Sequence, residues 1–335
     1  MSSGRKIVIF GRMTSPAGKI RLHLLKALAG ICLLVPLGAV PQTTPAGARL
    51  DRSQLKLTFR EEFDSPPSFY DRTIAPEGRW KTNFAFGSQD RKQRRYWETR
   101  TLEPNNELQY YADPWRDAHA FEWRDGMLTI AARPASAGEP ALEHGLAYVS
   151  GLITSEESFL QRYGYFEARV RMPVGKGLWP AFWLLPRFRV HKDPKLPQPP
   201  AEIDVFENIG KREELHLTLH YGTRQDKRHA SVAVAVAPVD AFHVYGVLVS
   251  ARDIVWYIDE HEVHREPNHD FHHPAYMLLN LAVGGDWPGT PDDTTPFPAH
   301  MTIDWVRAHA LAPGPLPAAE ESMTAAIQPS PDGRE

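Results

Sequence analysis

Tyr165-Phe166-Glu167-Ala168-Arg169-Val170-Arg171-Met172 alternates without a break. Phe166, Ala168, Val170 and Met172 fall on one parity; Tyr165, Glu167, Arg169 and Arg171 fall on the other. Successive side chains of an extended strand point to opposite faces, so this octet predicts a half-buried strand. Short runs of the same kind recur at Met127–Ala131, Leu215–Tyr221, Ser231–Val236, Val244–Val249, Ile254–Ile258, Tyr276–Val283 and Met301–Val306. Gly, Pro, Asp and Asn break them. No segment from about Leu55 to about His309 carries a convincing helical period. Ile254–Val263 reads as a hairpin turning around Asp259-Glu260-His261. Many short strands joined by turns predict an all-β fold, a sandwich or a barrel.

The ends of the chain read differently. Residues 1–48 hold six Lys and Arg and no acid, with an apolar run from Ala27 to Val40. That run is shorter than the ~20 residues of a membrane span. A basic stretch, a short apolar run and Ala46-Gly47-Ala48 predict a secretory signal peptide, hence export, with an uncleaved membrane anchor as the alternative. Residues 312–335 are rich in Pro, Ala and Glu without periodicity, which predicts a disordered tail. One domain, 49–311, remains. The formal net charge of the 335 residues is −3. Taking away the leader's six cations leaves −9, an acidic domain unsuited to nucleic acid. The single cysteine, Cys32, lies in the leader, so neither an internal disulfide nor a cysteine zinc site is expected. A core of this size needs neither.

The chemistry concentrates at Ala201-Glu202-Ile203-Asp204-Val205-Phe206-Glu207-Asn208. Ile203, Val205 and Phe206 are strand formers, so the acids lie on a strand and Glu202 and Asp204 share a face. Strict alternation sends Glu207 to the other face; one extra residue in a bulge brings it back. Acids gathered on one face repel one another, so the grouping points to catalysis or to a cation. Glycoside hydrolysis uses such a set, one carboxylate as nucleophile and one as acid/base. A solvated charged strand or a calcium site are the other readings of the octet alone.

The surroundings of the octet resemble glycoside hydrolase family 16, the laminarinase, lichenase, agarase and carrageenase group. Its Glu-x-Asp-x-(x)-Glu signature has its longer, bulged form at 202–207. Asn105-Asn106-Glu107-Leu108-Gln109-Tyr110-Tyr111 is similar to the family's early motif, and Tyr163–Arg169 to its central strand. Gly175-Lys176-Gly177-Leu178-Trp179-Pro180-Ala181-Phe182-Trp183, Leu279–Gly285 and Ile303–Arg307 continue the likeness in order, over about 55–308. The resemblance implies a β-jelly-roll of two antiparallel sheets with a concave cleft. It implies a retaining endo-β-glycanase acting on a polysaccharide, β-1,3- or mixed β-1,3/1,4-glucan. Glu202 is then the nucleophile, Asp204 the assisting acid and Glu207 the acid/base.

The resemblance also places Trp179 and Trp183 in the cleft, with Asn105 as its cleft asparagine and His220 near the acid/base. Trp287, after Gly284-Gly285-Asp286, is a further candidate for stacking on sugar. No cofactor is required for catalysis. A structural calcium is implied on the convex side, at Glu62, the carbonyl of Gly126 and Asp304. His269-Asp270-Phe271-His272-His273 reads as an exposed loop rather than a metal site. The family's usual Gly before the first catalytic Glu is replaced here by Pro197-Gln198-Pro199-Pro200-Ala201. That departure, with the cations Arg187, Arg189, His191, Lys192 and Lys195, looks closer to bacterial relatives that trim exopolysaccharides or mixed-linkage glucans. A galactan-cleaving enzyme, a transglycosylase using the same acids and a non-catalytic glycan-binding jelly-roll are the rival readings. A monomer is expected.

Overall fold

The computed structural model describes residues 47–86, 89–90, 92–116, 120–187, 201–223 and 225–312. The expected leader as far as residue 46, Cys32, the expected tail beyond 312 and the cations at 189, 191, 192 and 195 lie outside these residues. The described strands are β1 (Leu55–Glu61), β2 (Gln109–Tyr111), β3 (Phe121–Arg124), β4 (Met127–Pro134), β5 (Tyr148–Ser150), β6 (Leu152–Thr154), β7 (Gly164–Arg171) and β8 (Leu178–Pro186). They continue with β9 (Glu202–Glu207), β10 (Glu214–Gly222), β11 (Lys227–Ala235), β12 (His243–Val249), β13 (Asp253–Ile258), β14 (His261–Pro267), β15 (Ala275–Val283) and β16 (Ala299–Leu311).

They form two sheets. One runs β14-β13-β12-β7-β16-β4-β5-β2, with β1 on β16 and β3 on β4; the other runs β11-β10-β9-β8-β15-β6. Every strand pairing is antiparallel except β2 with β5. Alternation explains the layering. Phe166, Ala168, Val170 and Met172 enter the core from the larger sheet, and Phe182, Leu184, Ile203, Leu217, Leu219 and Met277 meet them from the smaller. The outer face of the smaller sheet is then left for the polar residues of the same strands.

Three expectations change. The N-terminal half of β7 is buried on both faces. Tyr165 packs with Leu50, Val255 and Tyr257, and Glu167 binds Arg52 through both of its oxygens. Sequence parity sees only the core-facing side; residues 49–54 fold over the other. The His269–His273 loop is also less exposed than expected. Phe271 is in the core, Asp270 accepts the amide of Gly222 at 2.8 Å, and His272 meets the Tyr163 hydroxyl at 3.0 Å. The predicted hairpin tightens by one residue. Asp259 and Glu260 alone make the turn, both at positive φ, and His261 already pairs with Ile258. No helix among the described residues is long and apolar enough to cross a membrane.

Candidate active site

The acids sit on β9, between β8 and β10. Against β8, Trp183 pairs with Asp204 and Phe182 with Phe206; against β10, Thr218 pairs with Asp204 and His216 with Glu207. Both ladders step over Val205. Three residues of β9 therefore oppose two of β8, and four oppose three of β10, the signature of a one-residue bulge. Ile203, Val205 and Phe206 all turn to the core. Glu202, Asp204 and Glu207 emerge on the opposite face, Asp204 buried and the two glutamates half-buried.

Each acid has distinct partners. Trp179 Nε1 donates to Glu207 Oε1 at 3.1 Å, and the Thr218 hydroxyl approaches Glu207 Oε2 at 3.5 Å. His220 Nε2 lies 3.3 Å from Asp204 Oδ2, an oxygen that accepts no hydrogen bond. Glu202, Asp204 and His220 bring one ligand atom each within 4.8 Å of one another. Burial pushes the Glu202 carboxyl up to about 8, helped by the Asp204 charge and opposed by His220. Burial pushes Asp204 up to about 7, with its hydrogen bond to Glu202 acting against the rise. Glu207 goes well above the ordinary range, from burial and then from the charges of Asp204 and Glu202. Three carboxyls in one dry site cannot all ionise together, so they share protons around neutrality. A protonated acid beside an ionised one supplies both a proton donor and a nucleophile.

The sugar-binding candidates separate into two groups. Trp179, half-buried, meets Trp287 edge-on at 5.5 Å, and Trp287 meets His216 at 4.6 Å. Trp287 is 41% exposed, an apolar plane open to a ligand. Asn105 joins this group through Gly285, whose φ is +119°. A Cβ on Gly285 would stand 3.0 Å from the Asn105 carbonyl oxygen and 3.4 Å from the Trp179 ring, so a larger residue would part them. Trp183 is nearly buried: its Nε1 donates to Asn280 Oδ1 at 2.7 Å and its ring neighbours Phe84. It forms floor beneath the acids rather than an open stacking plane.

The calcium candidates lie on the larger sheet and its hairpin. Glu62 receives Arg307 Nε and Nη2, both at 2.8 Å, and Asp304 receives Arg169 Nη1 at 2.5 Å. Gly126 stands in the β3–β4 turn at φ +70°. Both carboxylates face guanidinium groups, so an ion here would have to displace them. Arg187 is likewise engaged, with the Glu156 carbonyl and the Glu157 carboxylate.

Sequence reading did not single out Glu107, Tyr111, Asn280 or His216 as site residues. Glu107 carried one signal: an acid just before the strand Gln109–Tyr111, and it turns out 6% exposed. His216 becomes visible only through the ladder that sets it opposite Glu207.

Residues 111–307 match the family described as Glycosyl hydrolases family 16. Endo-1,3-1,4-beta-glycanase EglC of Rhizobium meliloti is 36% identical over 268 residues, 78% of this chain and 53% of that protein. The chain thus spans about half the length of the curated relatives that it matches. Among solved structures, the endo-beta-1,3-glucanase of Pyrococcus furiosus superposes with a TM-score of 0.59 at 30% identity, covering 81% of this chain and all of that one. The laminarinase catalytic domain of Thermotoga maritima gives 0.59 at 29%, over 77% of this chain and 98% of that one.

Proposed function

The chain belongs to the glycosyl hydrolases of family 16, and from that premise we propose that it is a retaining endo-β-glycanase cutting β-1,3- or mixed β-1,3/1,4-glucan. The observation that carries the reading is the Val205 bulge, which gathers Glu202, Asp204 and Glu207 on one sheet face. The glucan choice is supported by the activities named for the relatives.

In the proposed course, Glu202 attacks the anomeric carbon while Glu207 gives its proton to the leaving oxygen. The C–O bond to the leaving chain breaks as the ester to Glu202 forms. Glu207, now ionised, takes a proton from water, and that water cleaves the ester with configuration retained. Asp204, hydrogen-bonded to Glu202, shares a proton with it and so limits the repulsion between the two. Trp179 holds the Glu207 carboxyl by its indole N–H. No cofactor enters the scheme, because nucleophile and proton both come from the acids. Export is part of the proposal, on the pattern of residues 1–48.

The test is to incubate the purified protein with laminarin and lichenan, size the products and follow the anomeric configuration by NMR. Oligosaccharides of retained configuration are expected. Glu202→Gln and Glu207→Gln should each lower kcat by at least about 1,000-fold with the fold intact. Normal turnover in either folded variant would falsify the assignment. Lengthened rather than shortened oligosaccharides would indicate transfer to sugar instead of water.

A further inference from the structure

Glu107 is a buried carboxylate to which the hydrolysis scheme gives no task. Its partners are neutral donors. Asn105 Nδ2 donates to Oε1 at 3.1 Å, Gln109 Nε2 to Oε2 at 2.6 Å, and the Tyr111 hydroxyl lies 3.5 Å from Oε2. The backbone amide of Leu102 adds a further bond.

The direction of the bonds beyond these partners can be worked out. An indole nitrogen only donates, so Asn280 must turn Oδ1 toward Trp183, at 2.7 Å. The Asn280 amide nitrogen then donates to the Tyr111 hydroxyl at 2.9 Å. That hydroxyl, already accepting, has its hydrogen left for Glu107. Gln109 is oriented in the same sense: its Oε1 accepts the amide of Val283 at 2.7 Å, which turns its nitrogen to Glu107. Every link donates toward one carboxylate. An ionised carboxylate, which only accepts, suits the end of such a chain. A carboxamide or a protonated acid would set a hydrogen against donors.

Two arms of the network reach the site. Asn105 adjoins Trp179 through Gly285, and Trp183 pairs with Asp204 in the β8–β9 ladder. We propose that Glu107 is a positioning residue of the glycan cleft. Its carboxylate orients the Asn105 amide and, through Tyr111 and Asn280, the Trp183 indole, so that both are set before the sugar chain arrives. The inference rests on the glycanase reading and extends it to a residue outside the three acids. Burial pushes Glu107 up to about 7. The titratable group facing it is Tyr111, which burial and the Glu107 charge hold far above that range. Asn105, Gln109, Asn280 and Trp183 do not titrate.

The test compares wild type, Glu107→Gln, Trp183→Phe and the double variant on lichenan or laminarin. Glu107→Gln should raise KM about tenfold and leave kcat within about threefold, since the acids are untouched. Trp183→Phe removes the first donor of the chain, so its effect should be smaller in the Glu107→Gln background than in wild type. An unchanged KM, a loss confined to kcat, or additive effects would overturn the proposal. A second measurement needs neither turnover nor the variant at Glu107. The fluorescence difference made by Trp183→Phe, measured in a background of Glu202→Gln, Asp204→Asn and Glu207→Gln so that the neighbouring acids do not titrate, should change with pH around a midpoint near 7 in the free protein. A flat difference would sink the proposal if Glu107→Gln fails to fold. Should wild type cut neither glucan, the glycanase reading fails on that result while the fluorescence still decides the role of Glu107.

Discussion

A carboxylate that loses water on folding holds its proton more tightly, and in β9 three do so side by side. The consequence for stability has a definite sign. Glu202 and Asp204 rise in the folded protein to about 8 and about 7, above their ordinary values of 4.5 and 3.8. The folded state therefore binds more protons than the unfolded chain between about pH 4 and pH 8. Stability is fully present below the ordinary carboxylate range and is lost as pH rises through the folded values. Glu202→Gln, which cannot ionise, should raise Tm by a few degrees at pH 8 and change it little at pH 4. Thermal denaturation at the two pH values checks this; an equal shift at both would mean that charge is not the cause. The residue that abolishes turnover when changed is thus also one that costs the fold stability at neutral pH. The three acids were legible as residues because their types and spacing are in the chain. Their proton sharing was not, because it depends on how much water the two flanking strands exclude.

At the level of the element, β9 turns on one residue. With Val205 in place, Val205 and Phe206 both reach the core and Glu207 returns to the face of Glu202. Deleting Val205 removes the extra residue and restores plain alternation, with Phe206 alone in the core and Glu207 still on the face of Glu202. Hydrolysis should then survive at least in part, with strand content by circular dichroism unchanged; a folded deletion variant with no turnover would mean that the shared face alone does not organise the acids. The bulge was readable because one strand face had to collect all three acids. β10, where Leu215, Leu217 and Leu219 alternate with His216, Thr218 and His220, was readable for the same reason: two alternating environments print a period of two. β15 was readable as apolar, but not for the role of Asn280. Every residue of β15 is buried, so parity cannot mark Asn280 as belonging to the cleft side.

For the molecule as a whole, long-range pairs tie the sheets to segments that carry no strand pattern. Arg52, beside the short turn before β1, binds both oxygens of Glu167, at 3.0 and 2.7 Å. Glu167 is fully buried, so Arg52→Ala leaves a carboxylate without its cation in a dry site. The expected loss is about 3 kcal/mol, measured by denaturant unfolding. Glu167→Gln in that background should recover a substantial part of it; no recovery would mean that Arg52 acts by packing rather than by charge. The sequence by itself determined the fold class, the strand that bears the acids and the net charge of the chain. All of these follow from periodicity, composition or adjacency, which are local properties. Only the tertiary structure decided that Trp183 is floor while Trp287 is open, that Glu62 and Asp304 face arginines, and that Glu107 ends a chain of donors from the neighbouring strands. Such facts depend on which residues, far apart in the chain, meet across a ladder or a turn, and on how far their contact excludes water. Neither is written in the spacing of the residues themselves.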